Sequence, residues 1–344
     1  MKRKYGIFFL FLGLVLLICP SYSVNAAGKS MTLLKGETAT FSAGSGYTYT
    51  SSAPSVVRVN QKTGRMKAKS GGKAVITAKS GKKRITRTVT VRDKVDIIVF
   101  AGQSNMTGVG NTALAPKLKD HAGYAYNYVT AKNKFSDLKE PFGRGQDDEN
   151  LQNYDYARGS MVTAFVNAYY QKTKTPVIAV PASAVGTGSV SWADFRYKSV
   201  VTRVNAAKKL AQKKGLTVRH TYLIWMQGEN DAFAGMSAKQ HTSNLKSMYQ
   251  KIKKKTKMEQ CFIIGLPKYY NDPEIANGYT RIRNAQTRLC KSSSYDGFCE
   301  SRNTFCCLSA RRWSSPDAEG TEPDRDRCGQ KRRQLCKLRL ICFI

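Results

Sequence analysis

Three short polar clusters hold the residue types that acyl transfer needs. Gly102-Gln103-Ser104-Asn105 places a serine just past an apolar run beginning at Asp96. Ala184-Val185-Gly186-Thr187-Gly188-Ser189, followed by Trp192, supplies glycines that let a backbone approach a reacting oxygen with no Cβ in the way. Gln227-Gly228-Glu229-Asn230-Asp231 supplies carboxamides and carboxylates. Acylation of a serine requires a base for the hydroxyl proton, a group that orients the base, and donors for the oxyanion. On residue type, Ser104 is the nucleophile candidate. Its own N–H and the backbone at Gly186 can face an oxyanion, and the side-chain amide of Gln227 or Asn230 can be a third donor.

Elements that could position these clusters recur along the middle of the chain. Ile97 to Ala101, Val177 to Val180, Tyr222 to Met226 and Cys261 to Leu266 are short apolar runs, the pattern of strands buried on both faces. Between and after them, Ser160 to Thr173, Lys198 to Lys214, Ala238 to Lys257 and Ile275 to Cys290 repeat apolar residues at helical spacing. Alternating strands and helices predict a parallel sheet with helices on both faces. The three clusters each follow a strand, so they converge on the carboxyl edge, where open α/β sheets bind ligands.

The clusters also carry a family resemblance. Gly102-Gln103-Ser104-Asn105-Met106, then Gly186 with Ser189 and Trp192, then Trp225-Met226-Gln227-Gly228-Glu229-Asn230-Asp231 resemble the sialate O-acetylesterase and acetylxylan esterase group of SGNH hydrolases. The likeness spans residues 94–298. It implies a three-layer α/β/α fold and hydrolysis of O-acetyl esters on sugars, without metal or cofactor. It implies Ser104 as nucleophile, with Ser104 N–H, Gly186 and a polar residue of the third block as oxyanion hole. Gln227 is the first choice for that residue and Asn230 the alternative. Gln103, Asn105, Glu229 and Asp231 are expected to brace the site.

Ahead of this region, residues 28–93 are rich in Thr, Ser, Val, Lys and Gly. Short alternating runs such as Val56 to Val59 and Ile85 to Val91 are separated by turns at Ala53-Pro54, Thr63-Gly64 and Gly71-Gly72. That pattern predicts a small β-sandwich. Ser51 to Val59, Thr63 to Ala68 and Gly72 to Ala78 resemble a group 2 bacterial Ig-like domain, which implies a cell-surface spacer or a module touching surface glycan. Basic Met1-Lys2-Arg3-Lys4, the apolar run Ile7 to Cys19 and Val24-Asn25-Ala26 together read as a signal peptide over residues 1–26, hence a secreted or surface protein. Nothing after it is long and apolar enough to span a bilayer.

The family pattern ends in Asp-x-x-His, and this sequence has no such motif. Its three histidines are His121, His220 and His241. His121 follows the nucleophile region, His220 precedes the strand Tyr222 to Met226 and so should sit at the wrong end of the sheet, and His241 lies within a helix. Solvated or structural roles are expected of all three, with His121 the nearest to a substitute base. From residue 299 the periodicity stops and six of the nine cysteines crowd the last 46 residues. Read one nucleotide later, with codons chosen to suit, Glu319 through Lys337 gives a helical ending and Arg311 to Ser315 gives Asp-Gly-Gly-His. Residues 299–344 are therefore read as a frame-shifted tail, against the alternative of a genuine cysteine-rich one. Whether Cys261 and Cys290 pair is left open.

A net charge of +34 raises the question of nucleic acid. No DNA- or RNA-binding signature accompanies it. The Lys and Arg are scattered, and a polyanionic cell surface or polysaccharide suits the charge better. The expectation is a carbohydrate O-acetylesterase acting on an acetylated sugar. The rivals are a catalytically dead surface protein that only binds glycan and a lipase-like enzyme of the same fold, the latter disfavoured because no apolar patch is visible near the motifs.

Overall fold

The computed structural model describes residues 26–27, 30–119, 121–152, 157–269 and 271–291. The expected leader up to residue 25 and the tail from residue 299 lie outside the described residues.

Residues 30–92 form a two-sheet β-sandwich. One sheet orders Thr48–Ser51, Gly72–Ser80 and Lys83–Arg92 antiparallel, with Met31–Leu34 parallel on Lys83–Arg92. The other holds Thr38–Thr40, Arg65–Ala68 and Val57–Val59. The alternation seen in the sequence is the cause. Ala74, Ile76 and Ala78 point into the core with Val89 and Val91, against Val57, Met66 and Phe41, as a period of two requires.

The rest of the chain is an α/β/α sandwich. Its strands are β1 (Lys94–Gly102), β2 (Gly123–Ala125), β3 (Ser136–Asp137), β4 (Val177–Ser183), β5 (Thr217–Met226) and β6 (Gln260–Ile263). The sheet order is β3-β2-β4-β1-β5-β6, parallel throughout except for β3 on β2. Residues 95–102 of the central strand β1 are all buried. Val95, Ile97, Val99 and Ala101 face one layer, and Ile98 and Phe100 the other.

The helices are α1 (Ser104–Thr107), α2 (Val162–Thr173), α3 (Tyr197–Lys213), α4 (Glu229–Phe233), α5 (Ala238–Thr256) and α6 (Pro273–Lys291). Val200, Val204 and Ala207 of α3, with Leu245, Met248 and Ile252 of α5, cover the first face. Leu289 and Cys290 of α6 join the same core, as does Cys261 of β6. Val162, Phe165 and Val166 of α2 cover the second face. Helices α3 and α5 pack side by side, and neither carries an Asp or Glu.

Two strands escaped the sequence reading. Gly123–Ala125 and Ser136–Asp137 are too short to show a period, and tertiary pairing alone makes them strands. Buried Arg203 of α3 is a second feature without a local signal. It pairs with Asp148 at 2.8 Å and donates to Pro181 O at 3.0 Å, fixing the 146–151 loop to the end of β4. Burial alone would lift the Asp148 carboxyl, but bonds from Ser199 and Arg203 outweigh it and hold it below the usual carboxylate range.

Candidate active site

The register of the sheet gathers the three clusters. Gly102 of β1 is level with Ser183 of β4 on one side and Met226 of β5 on the other. The chain therefore leaves three adjacent strands at the same height and delivers residues 103–105, 184–189 and 227–231 to one edge.

Gly102 makes the exit from β1. Its φ is +145°, and a Cβ there would stand 1.9 Å from Met226 O. Only a residue without a side chain lets β1 turn at that point. Gln103 N–H then donates to Met226 O at 3.1 Å, and Ser104 opens the helical turn α1. As the first residue of that turn, its N–H has no carbonyl partner within the helix. Ser104 and Asn105 are half-buried, while Gln103, Met106 and Thr107 are buried. The serine thus meets solvent on a fixed base.

Gly186 is exposed, with φ +69° and open space where a Cβ would stand. The loop around it is held from within. Thr187 Oγ1 donates to Ala184 O at 2.8 Å and accepts from Trp192 Nε1 at 2.8 Å. Trp192 is buried and meets Trp225 edge-on, centroids 5.0 Å apart.

The two candidates for the third donor part company here. Gln227 has no exposed surface, and its Nε2 donates to Thr187 O at 3.2 Å. Asn230 is half-buried on α4, and its Nδ2 donates to Gly186 O at 3.0 Å. Its carboxamide also lies 3.0 Å from that of Gln103. Asn230 thus shares the rim with Gly186, whereas Gln227 lies beneath it.

The remaining polar residues form struts. Asn105 Nδ2 donates to Glu229 Oε1 at 2.6 Å, joining α1 to α4. Burial raises the Glu229 carboxyl pKa above the ordinary range, and the bond from Asn105 offsets this only in part. Asp231 Oδ1 accepts from Ser189 N at 2.8 Å, and its Oδ2 lies 2.6 Å from His241 Nδ1. Burial alone would lift Asp231 too, but the bonds from His241 and Ser189 prevail and hold it below the usual carboxylate range.

None of the histidines is placed to serve Ser104. His241 is fully buried, with Nδ1 on Asp231 and Nε2 3.2 Å from Gln286 Nε2. A structural role fits it and a solvated one does not. His220 sits in the first half of β5, 2.8 Å from Glu259 and stacked on Tyr222. Six residues separate it from Met226, about 20 Å of extended chain. His121 precedes β2, whose Gly123 is level with Val177 and, across β4, with Asp96 at the start of β1. It therefore lies at the amino edge, opposite Ser104, and the expectation that it stands nearest to a substitute base is corrected.

Sequence reading missed two residues that complete the support. Gln286 of α6 donates to Gln227 O at 2.8 Å as well as facing His241. Thr187 unites Trp192, Ala184 O and Gln227. Neither stands out by type, and their partners are fixed by tertiary packing.

A model of carbohydrate esterases, sialic acid-specific acetylesterase, matches residues 94–292, and one of bacterial Ig-like domains (group 2) matches residues 20–91. Among solved structures, a protein from Arabidopsis thaliana is similar at 17% identity and a TM-score of 0.44, covering 57% of this chain and 80% of that one. A carbohydrate acetylesterase from Xanthomonas citri is similar at 14% identity and a TM-score of 0.37, covering 75% of this chain and 63% of that one. No curated protein matches. The first match spans more than half of the chain, and the chain belongs to the sialic acid-specific acetylesterase family of carbohydrate esterases, preceded by a bacterial Ig-like domain.

Proposed function

We propose that the chain is a secreted esterase that removes O-acetyl groups from sugars by acyl transfer through Ser104. The observation that carries the reading is the convergence of half-buried Ser104, exposed Gly186 and the Asn230 amide on one sheet edge. In this mechanism Ser104 Oγ attacks the acetyl carbonyl carbon and gives its proton to a base. The carbonyl oxygen becomes the oxyanion, received by the N–H groups of Ser104 and Gly186 and by Asn230 Nδ2–H. The C–O bond to the sugar breaks, and the sugar oxygen leaves with the proton. Water then attacks acetyl-Ser104 and releases acetate. We assign the third donor to Asn230 rather than Gln227, because Gln227 is fully buried, whereas half-buried Asn230 keeps a second amide N–H besides the one given to Gly186 O.

The base is the open place in this scheme. All three histidines lie among the described residues: His121 and His220 lie away from the carboxyl edge, and His241 is buried with its ring nitrogens on Asp231 and Gln286. A member of a catalytic triad carries several orders of magnitude in rate. This favours a second reading, in which the chain as written is a catalytically dead glycan-binding or adhesion protein. The Ig-like domain and the acid-free helices α3 and α5 suit contact with an anionic cell-wall polysaccharide under either reading.

Acetate release from acetylated xylan, measured for the full chain and Ser104→Ala, tests the esterase reading. Release above buffer that the substitution abolishes is expected. Equal release from both proteins would remove Ser104 from the chemistry.

A further inference from the structure

Five of the six large apolar residues that stand exposed among the described residues follow the carboxyl ends of strands. Val109 and Leu114 follow β1, Val129 follows β2, Val190 follows β4 and Phe233 follows β5. All five thus lie in segments that leave the carboxyl edge, the edge that carries Ser104.

Phe233 differs from the other four in being aromatic and in being backed. It is 54% exposed. Tyr269 and Tyr279 meet it edge-on at 5.8 and 5.7 Å, and those two tyrosines stack on each other at 5.0 Å. Tyr279 is buried against α4, where Gly278 of α6 comes so close that a Cβ would stand 2.6 Å from Ala232 O. Burial, and then the Glu229 carboxyl, raise the Tyr279 phenol above its ordinary range. Along α4, Phe233 lies one turn from Asn230, on the same face. A rigid, half-open aromatic ring thus stands one helical turn from the amide at the rim of the site.

We propose that Phe233, braced by Tyr269 and Tyr279, is the platform on which a pyranose ring of the substrate stacks, so that the ester reaches Ser104. A pyranose presents an apolar face of C–H groups, and the negative face of an aromatic ring complements it. A fatty acyl chain would need an apolar channel. Here the ring stands one turn from polar Asn230, whose amide meets exposed Gly186, as suits a sugar with hydroxyls at its rim. The inference rests on the esterase reading only for the location of the ester.

Binding in a Ser104→Ala background tests it without consuming the ligand. An acetylated xylo-oligosaccharide is titrated calorimetrically into full-length S104A and into S104A combined with Phe233→Ala, Phe233→Leu or Phe233→Trp. Leu keeps apolar bulk against Tyr279 without a flat face, and Trp keeps the face. Ala and Leu are expected to weaken binding about tenfold or more, with Trp within about threefold of the parent. The platform is overturned if the Leu variant binds like the parent, if Trp loses as much as Ala, or if S104A itself shows no binding. It is also overturned if an octanoyl ester displaces the oligosaccharide more effectively than acetylxylose does. Comparing acetate release from wild type and S104A reports separately on the esterase reading.

Discussion

Asn105 donates its side-chain amide to Glu229 across 2.6 Å, tying the residue after Ser104 to the first residue of α4. Its partner is a carboxyl that burial pushes toward the neutral form. The folded-state pKa of Glu229 is raised, so the protonated form favours folding. That contribution is present below the unfolded value, near 4.5, and is lost as pH rises through the higher folded value. Glu229→Gln keeps an acceptor for Asn105 and carries no charge. Its Tm is expected to exceed that of wild type, by a margin that grows as pH rises above about 4.5. Thermal melts from pH 4 to 8 check this, and a margin independent of pH would contradict it.

Asn230 and Gln227 are separated by burial. Removing an oxyanion donor costs about 100-fold in kcat with little change in KM. Asn230→Ala is expected to show that loss on acetylated xylan while keeping its Tm. Gln227→Ala removes a buried amide that supports Thr187, and is expected to lower Tm and to reduce kcat less than Asn230→Ala. Steady-state kinetics and melts of both variants decide between the two donors.

Gly102→Ala tests the turn itself. Its Cβ would collide with the Met226 carbonyl of the neighbouring strand β5, at a φ that side chains resist. A loss of about 4 kcal/mol, or failure to fold, is expected from urea unfolding. Wild-type stability would mean that β1 leaves the sheet by another path.

The missing base gives a prediction at the level of the gene. A chain whose reading frame after residue 298 restores Asp-x-x-His is expected to release acetate at least about 1000-fold faster than the chain as written. Equal rates would show that the tail supplies no catalytic group and would favour the glycan-binding reading.

The sequence by itself determined the two regions, the strand and helix order around the site and the three clusters at the carboxyl edge. Buried strands need continuous apolar runs, helices need apolar residues at their own period, and a turn such as that at Gly102 needs glycine. Each is a local demand that leaves a local trace. What only the tertiary structure decided is which amide lies at the rim, which histidines are out of reach and what holds the site together. Asn105 and Glu229 are 124 residues apart, and Gln227 and Gln286 are 59 apart. Gln227 and Asn230 are both carboxamides of one cluster, and no spacing rule says that one is sealed beneath the other. Likewise, His241 has no local sign that it will meet Asp231 in the core. These outcomes follow from how α4, α5 and α6 pack on the sheet, where burial assigns each polar atom its partner.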